Sequence, residues 1–181
     1  LVGQLVLDER KILFKYSDAY LETGYNISPN QLAFENIPQT TQEKPFNGLF
    51  GVFADSLPDA WGVLLLKKRL SADRIALESL NVLDHLTFSG NNSLGALHYK
   101  PSKELEQNAN EINLDKLNDA ISEVFSGESN VVIDELFTKG GSPGGARPKI
   151  YAGFNPKTDS LISGISQLPE DYEHWIIKFA A

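Results

Sequence analysis

The chain has 181 residues, 41% hydrophobic and 22% charged, a balance that supports a globular core in one domain or two small ones. A net charge of −8 and a pI near 4.9 argue against broad nucleic-acid contact. The absence of cysteine excludes disulfides and thiolate metal centres and makes the cytoplasm the default compartment. No window approaches the length of apolar sequence that a membrane span needs. The start, Leu1–Leu7, alternates like a strand and has no basic segment of the kind that opens a signal peptide. The chain begins at Leu1, contains no methionine and stops at Ala181 straight after an apolar run, so the expectation is a piece of something longer.

In chain order, Leu1–Leu7 and Ile12–Tyr16 are short β-type runs joined by Asp8-Glu9-Arg10-Lys11, a predicted hairpin. Tyr20–Phe34 mixes aromatics with Gly24, Asn26, Pro29 and Asn30 and reads as loops with one or two short strands. Gln39–Pro45 is a polar surface loop, and Phe46–Phe53 reads as a strand bent at its glycines. Ser56-Leu57-Pro58-Asp59 opens a helix, with Ser56 as cap, Pro58 in the first turn and Asp59 near the positive end of the dipole. Trp61, Leu64 and Leu65 form its buried stripe. A second helix is expected from about Asp73 to Leu86, with Ala76, Leu80 and Leu83 on its apolar face. Ser89–Ser93 is a turn, and Leu94–Tyr99 returns as a strand ending at Pro101.

Ser102–Asn113, rich in Glu, Gln and Asn, is the clearest shift in composition and reads as a linker between two lobes. A capped helix, Leu114–Phe125, follows with Leu114, Leu117, Ile121, Val124 and Phe125 on one face. Val131–Phe137 is a shorter helix or strand. Ile150–Phe154 and Ser160–Ile162 form a hairpin around Asn155–Asp159, and His174–Phe179 is a strand in which Lys178 interrupts an apolar run.

The chemistry concentrates in Gly140–Lys149: four glycines, Ser142, and the cations Arg147 and Lys149. Glycines let successive backbone N–H groups line an anion-binding concavity, and a hydroxyl and two cations beside it suit a phosphate. Composition alone leaves two readings open, an anion cradle and a mobile surface hairpin. The segment fits neither the Walker A pattern nor G-x-G-x-x-G. Lys178 strengthens the first reading. Flanked by Ile177 and Phe179 in a strand, it points to the face opposite theirs, and a glycine loop followed by a strand lysine matches the kinase arrangement in outline. An edge-strand lysine that merely snorkels stays open as the alternative. His85, His98 and His174 lie far apart in sequence and outside any metal or nucleophile motif.

Four segments carry a family resemblance. Asp55-Ser56-Leu57-Pro58-Asp59-Ala60-Trp61-Gly62 resembles the Asp-x-Leu-Pro-Asp-Gly-Trp-Gly signature of HipA-type toxin kinases. Gly90–Leu97 is similar to their Gly-x-x-x-x-Gly-Ala-Leu turn and strand, Ser142–Lys149 to their phosphate loop, and His174–Phe179 to their ATP-lysine strand. The resemblance implies an α+β fold: a β-rich N-terminal subdomain with a few helices (1–101), a linker with helices (102–137), and the start of a kinase-like small-lobe sheet (138–181). It implies a serine/threonine protein kinase of a bacterial toxin–antitoxin system. The backbone of Pro143, Gly144, Gly145, Ala146 and Arg147 would cradle the phosphates of ATP, Lys178 would contact them, and Ser142 would be the autophosphorylated serine. A phosphoserine there adds about −1.5 to −2 charge beside a loop meant for a triphosphate, which would shut the kinase down.

The family's catalytic aspartate and the ligands of Mg2+ lie in a C-lobe, so the expectation is no catalytic residue and no metal ligand within these residues. Ala60 stands where the family usually has glycine. Implied partners are a HipB-like antitoxin, through which any DNA contact would be indirect, and a protein substrate such as an aminoacyl-tRNA synthetase. The competing reading is a non-catalytic module kept for antitoxin binding or regulation.

Overall fold

The computed structural model describes residues 1–42, 44–90, 96–102, 111–126, 136, 145–164 and 168–180. Helices and two small antiparallel sheets make an α+β fold. Strands β1 (Gly3–Asp8) and β2 (Lys11–Tyr16) form the expected hairpin, in register from Gly3↔Tyr16 to Asp8↔Lys11. The tight turn is made by Glu9, in the left-handed region at φ 52°, and Arg10. Alternation along β2 buries Ile12, Phe14 and Tyr16. Phe14 and Tyr16 meet edge to face with ring centroids 4.8 Å apart, and with Leu32, Leu49, Phe50, Phe53 and Leu86 they make the N-terminal core.

Several expectations in this half are corrected. Residues 20–34 are turns and loops as expected, but without the one or two short strands, and they begin in a short helix α1 (Asp18–Leu21) that Ser17 caps by accepting from the Tyr20 N–H. Residues 46–53 are a turn followed by helix α2 (Gly51–Ala54); a short apolar run does not by itself separate a strand from a buried helix. The helix expected over 73–86 is interrupted. Arg74 turns to φ 58°, a 3-10 turn covers Leu77–Ser79, and helix α4 (Val82–Ser89) starts afresh at Asn81. Asn81 and Asp84 form a reciprocal capping box there.

Helix α3 (Ala60–Ala72) faces two cores at once. Trp61 and Leu65 pack with the C-terminal half, while Leu66 and Leu70 pack with Phe88 of α4. Leu64 is partly buried beside the first pair, so the stripe read from the sequence is real but covers one face of two. Its N-cap is Asp59, not Ser56. The Ser56 hydroxyl is buried and accepts from Tyr99 Oη at 3.0 Å, which leaves the cap to Asp59. Of the turn and strand expected over Ser89–Tyr99, residues 91–95 lie outside the described residues; Ala96–Tyr99 are not in a strand, and the Tyr99 N–H donates to Gly90 O.

Helix α5 (Leu114–Ser126) has the periodicity the sequence shows: Leu117, Ala120, Ile121 and Val124 are buried, whereas Leu114 and Phe125 are exposed. Asn113 Oδ1 accepts from the Lys116 N–H at its start. The end of the expected linker is structured, since Glu111 bridges Ile162 and Ile112 is buried; residues 103–110 lie outside the described residues. So does Val131–Phe137, except for Leu136, which is buried in the same core.

The second sheet has the order β4-β3-β5, with β3 (Lys149–Asn155) central, β4 (Ser160–Ser163) and β5 (Glu173–Lys178). β3 is buried along nearly all its length because neighbours cover both faces. Ile150 and Ala152 point to one face and join Trp61, Leu65, α5 and Phe179; Lys149 and Tyr151 point to the other. Burial of each large side chain in this core stabilises by roughly 1.5–3 kcal/mol relative to exposure.

Candidate functional site

The limb of the glycine loop that enters β3 is described from Gly145 onward; Ser142, Pro143 and Gly144 lie outside the described residues. Gly145 sits at φ 103°, a conformation that glycine adopts without strain, and a Cβ built there would meet nothing within 4 Å. Gly145, Ala146 and Arg147 are exposed, and the chain becomes buried at Pro148. The limb is tied down at its end, because the Phe179 N–H donates to Pro148 O at 3.0 Å.

That bond extends the β3–β5 ladder, in which Lys149 pairs with Lys178 and Ile150 with Ile177. Directly opposed residues share a face, so Lys178 emerges beside Lys149, next to the exit of the loop. The alternation expected from the sequence holds: Ile177 packs against the core, Phe179 is buried in it, and Lys178 between them is exposed. Of the six residues expected to contact ATP, Gly145, Ala146, Arg147 and Lys178 are thus placed around one exposed corner of the sheet.

Lys149 behaves differently from its neighbour. In the sequence it stands with Arg147 as a cation beside the glycines, yet its side chain is 1% exposed. Three oxygens surround its three-donor ammonium: Asp59 Oδ2 at 2.7 Å, and the carbonyls of Gly145 and Arg147 at 3.1 Å each. Asp59 is itself 8% exposed, and its Oδ1 accepts from the Gly62 N–H at 2.8 Å as the cap of α3. A desolvated ammonium is costly unless its charge and its donors are met together; here the Asp59 carboxylate meets the charge and the two carbonyls accept hydrogen bonds. Sequence reasoning had Asp59 and Lys149 each in a motif without joining them. The signal was weak: an aspartate after proline, and a lysine opening a strand that is otherwise apolar.

Next along the same face, Tyr151 Oη is buried and meets no hydrogen-bond partner among the described residues, as is Trp61 Nε1. Burial, and secondarily the charge of Asp59, push the Tyr151 phenol well above its ordinary range, so it stays neutral. Elsewhere, His85 is half-buried, and desolvation lowers its pKa against the opposing pull of Asp84. Among the described residues no group of three or more His, Asp and Glu is arranged to hold a metal ion, and no helix is long and apolar enough to cross a membrane.

Around this corner lie an open backbone limb with a positive-φ glycine, the exposed Lys178 and the exposed Arg147, while Lys149 is paired internally with Asp59. Comparison with known proteins adds a family. The model described as the HipA N-terminal domain matches residues 1–100. No curated protein and no solved structure matches the chain.

Proposed function

The chain belongs to the HipA N-terminal domain family, and from that premise we propose that it is the N-terminal portion of a HipA-like serine/threonine protein kinase. ATP supplies the γ-phosphoryl group that a serine or threonine hydroxyl of a protein target accepts. The residues of this chain bind and orient the nucleotide. The loop backbone from Pro143 to Arg147 lies along its phosphates, and Lys178 neutralises their charge. Ser142 takes up phosphate itself and turns the site off. The catalytic aspartate and the Mg2+ ligands belong to a helical lobe outside residues 1–181. The partners are a HipB-like antitoxin, with DNA reached only through it, and a translation factor such as an aminoacyl-tRNA synthetase, all in the cytoplasm.

The observation that carries this reading is the register Lys149↔Lys178, which sets an exposed lysine beside the exit of a glycine loop. A second reading, a non-catalytic module for antitoxin binding, draws support from the extent of the family match, which ends before the loop and Lys178 begin. Labelled ATP separates them. In the full-length protein, Lys178→Ala is expected to lose phosphorylation by a hundredfold or so, the order that one misplaced or missing electrostatic group costs, and Ser142→Ala to lose the label on the protein itself. Undiminished phosphorylation in Lys178→Ala would refute its role. No incorporation by the wild type, with antitoxin binding intact, would favour the module.

A further inference from the structure

Resting on the ATP-site reading above, we propose that Asp59, the cap of α3, and Lys149, the first residue of β3, are positioning residues that set the shape and the charge of the loop limb Gly145–Arg147. The carboxylate of Asp59 is held at both ends. Oδ1 caps α3 through the Gly62 N–H, and Oδ2 faces Lys149 at 2.7 Å. Helix α3 is anchored by Trp61 and Leu65, both about fully buried, so the carboxylate is a fixed point. Lys149 transfers that fixity to the loop, because its ammonium draws in the carbonyls of Gly145 and Arg147 together. The limb between them is therefore shaped before any ligand arrives, and its exposed residues Gly145, Ala146 and Arg147 are presented rather than recruited.

The pair also decides the local charge. Lys149 and Lys178 are directly opposed across the ladder, where like charges repel. Asp59 neutralises the buried lysine and leaves Lys178 as the charge on that face that a phosphate meets. Neither Asp59 nor Lys149 contacts the nucleotide; each acts through the loop and through Lys178.

Full-length protein with Mg2+ and a fluorescent (mant) ATP tests this. Because one partner removed alone leaves an unpaired buried charge and risks unfolding, the informative variant is Asp59→Asn/Lys149→Met, which removes both charges and the tether to the carbonyls. Its melting temperature is expected to stay near that of the wild type while its Kd for mant-ATP rises about tenfold to a hundredfold, the scale of a small misplacement at a reacting centre. Lys149→Arg, which keeps the charge and several donors, is expected to recover part of that affinity. Wild-type affinity in the folded double variant, with binding lost in Lys178→Ala, would overturn the positioning role and leave the ATP site standing. Failure of the wild type to bind mant-ATP would overturn the ATP-site reading, and the positioning role with it.

Discussion

Lys149 and Lys178 stand opposite one another across the β3–β5 ladder, yet one is buried against Asp59 and the other is exposed. The asymmetry comes from α3, whose capping carboxylate pairs with the lysine on the central strand. Two residues of the same type, at paired positions, thereby take different tasks: one orders the backbone, and one faces solvent beside the loop.

The buried pair makes a specific demand on stability. Lys149→Met leaves the Asp59 carboxylate without its counter-charge and the carbonyls of Gly145 and Arg147 without their donor. A loss of about 3–5 kcal/mol is expected in urea unfolding. Adding Asp59→Asn removes the stranded charge, and most of that loss should return. Equal losses in single and double variants would show that the pairing contributes nothing.

Tyr151 gives an alkaline signature. Its folded pKa lies well above the ordinary 10.0, so its contribution to stability is present below pH 10 and is lost as pH rises through the folded pKa. Tyr151→Phe should flatten that alkaline limb. It also removes a buried hydroxyl that no hydrogen bond among the described residues satisfies, so stability at neutral pH should hold or rise by about 1 kcal/mol. Thermal melts of both proteins between pH 8 and pH 11 check the two effects together.

On the acid side His85 acts in the opposite sense. Burial lowers its folded pKa below 6.5, so its contribution is present above pH 6.5 and is lost as pH falls through the folded value. His85→Gln should lessen the decline in melting temperature on acidification. A decline of unchanged slope would place the acid sensitivity in other groups.

Two glycines separate crowding from backbone strain. A Cβ on Gly164 would meet the backbone of Ala152 at 2.6–2.8 Å, and neither chain segment can yield without disturbing the sheet. Gly164→Ala should therefore cost about 1–3 kcal/mol. At Gly145 the added Cβ meets open space, and only the positive φ opposes it. Gly145→Ala should cost less in stability, about 1 kcal/mol, while altering the loop, so its readout is nucleotide affinity rather than melting temperature.

The contact between Tyr99 and Ser56 joins segments on either side of α3 and α4. Tyr99→Phe leaves the buried Ser56 hydroxyl without its donor, and a loss of about 0.5–1.5 kcal/mol is expected by chemical denaturation. An unchanged midpoint would show that Ser56 finds another partner.

Elements set by local pattern were legible in the sequence. The β1–β2 and β3–β4 hairpins, α5 and β5 follow from alternation, helical period and turn residues within a few positions of one another. The misread elements had ambiguous local signals. Phe46–Phe53 is apolar with two glycines, which suits a bent strand and a short buried helix equally until Phe50 and Phe53 find the aromatic core. Ser56 and Asp59 are both good caps, and only the partner waiting at Tyr99 decides between them. In the stretch expected as one helix, Asn81 and Asp84 carried a capping box that marked a fresh start.

By itself the sequence determined that a glycine-rich loop leads into a strand, that an alternating strand carries Lys178 away from its apolar neighbours, and that Asp59 lies in a helix-opening motif. These are properties of residues close in the chain, where backbone geometry alone fixes which side chains share a face. Only the tertiary structure decided that Lys149 turns inward to Asp59 and Lys178 stays outward. That choice depends on α3 packing Trp61 and Leu65 against the sheet, and a contact between distant segments leaves no period in the sequence to be read.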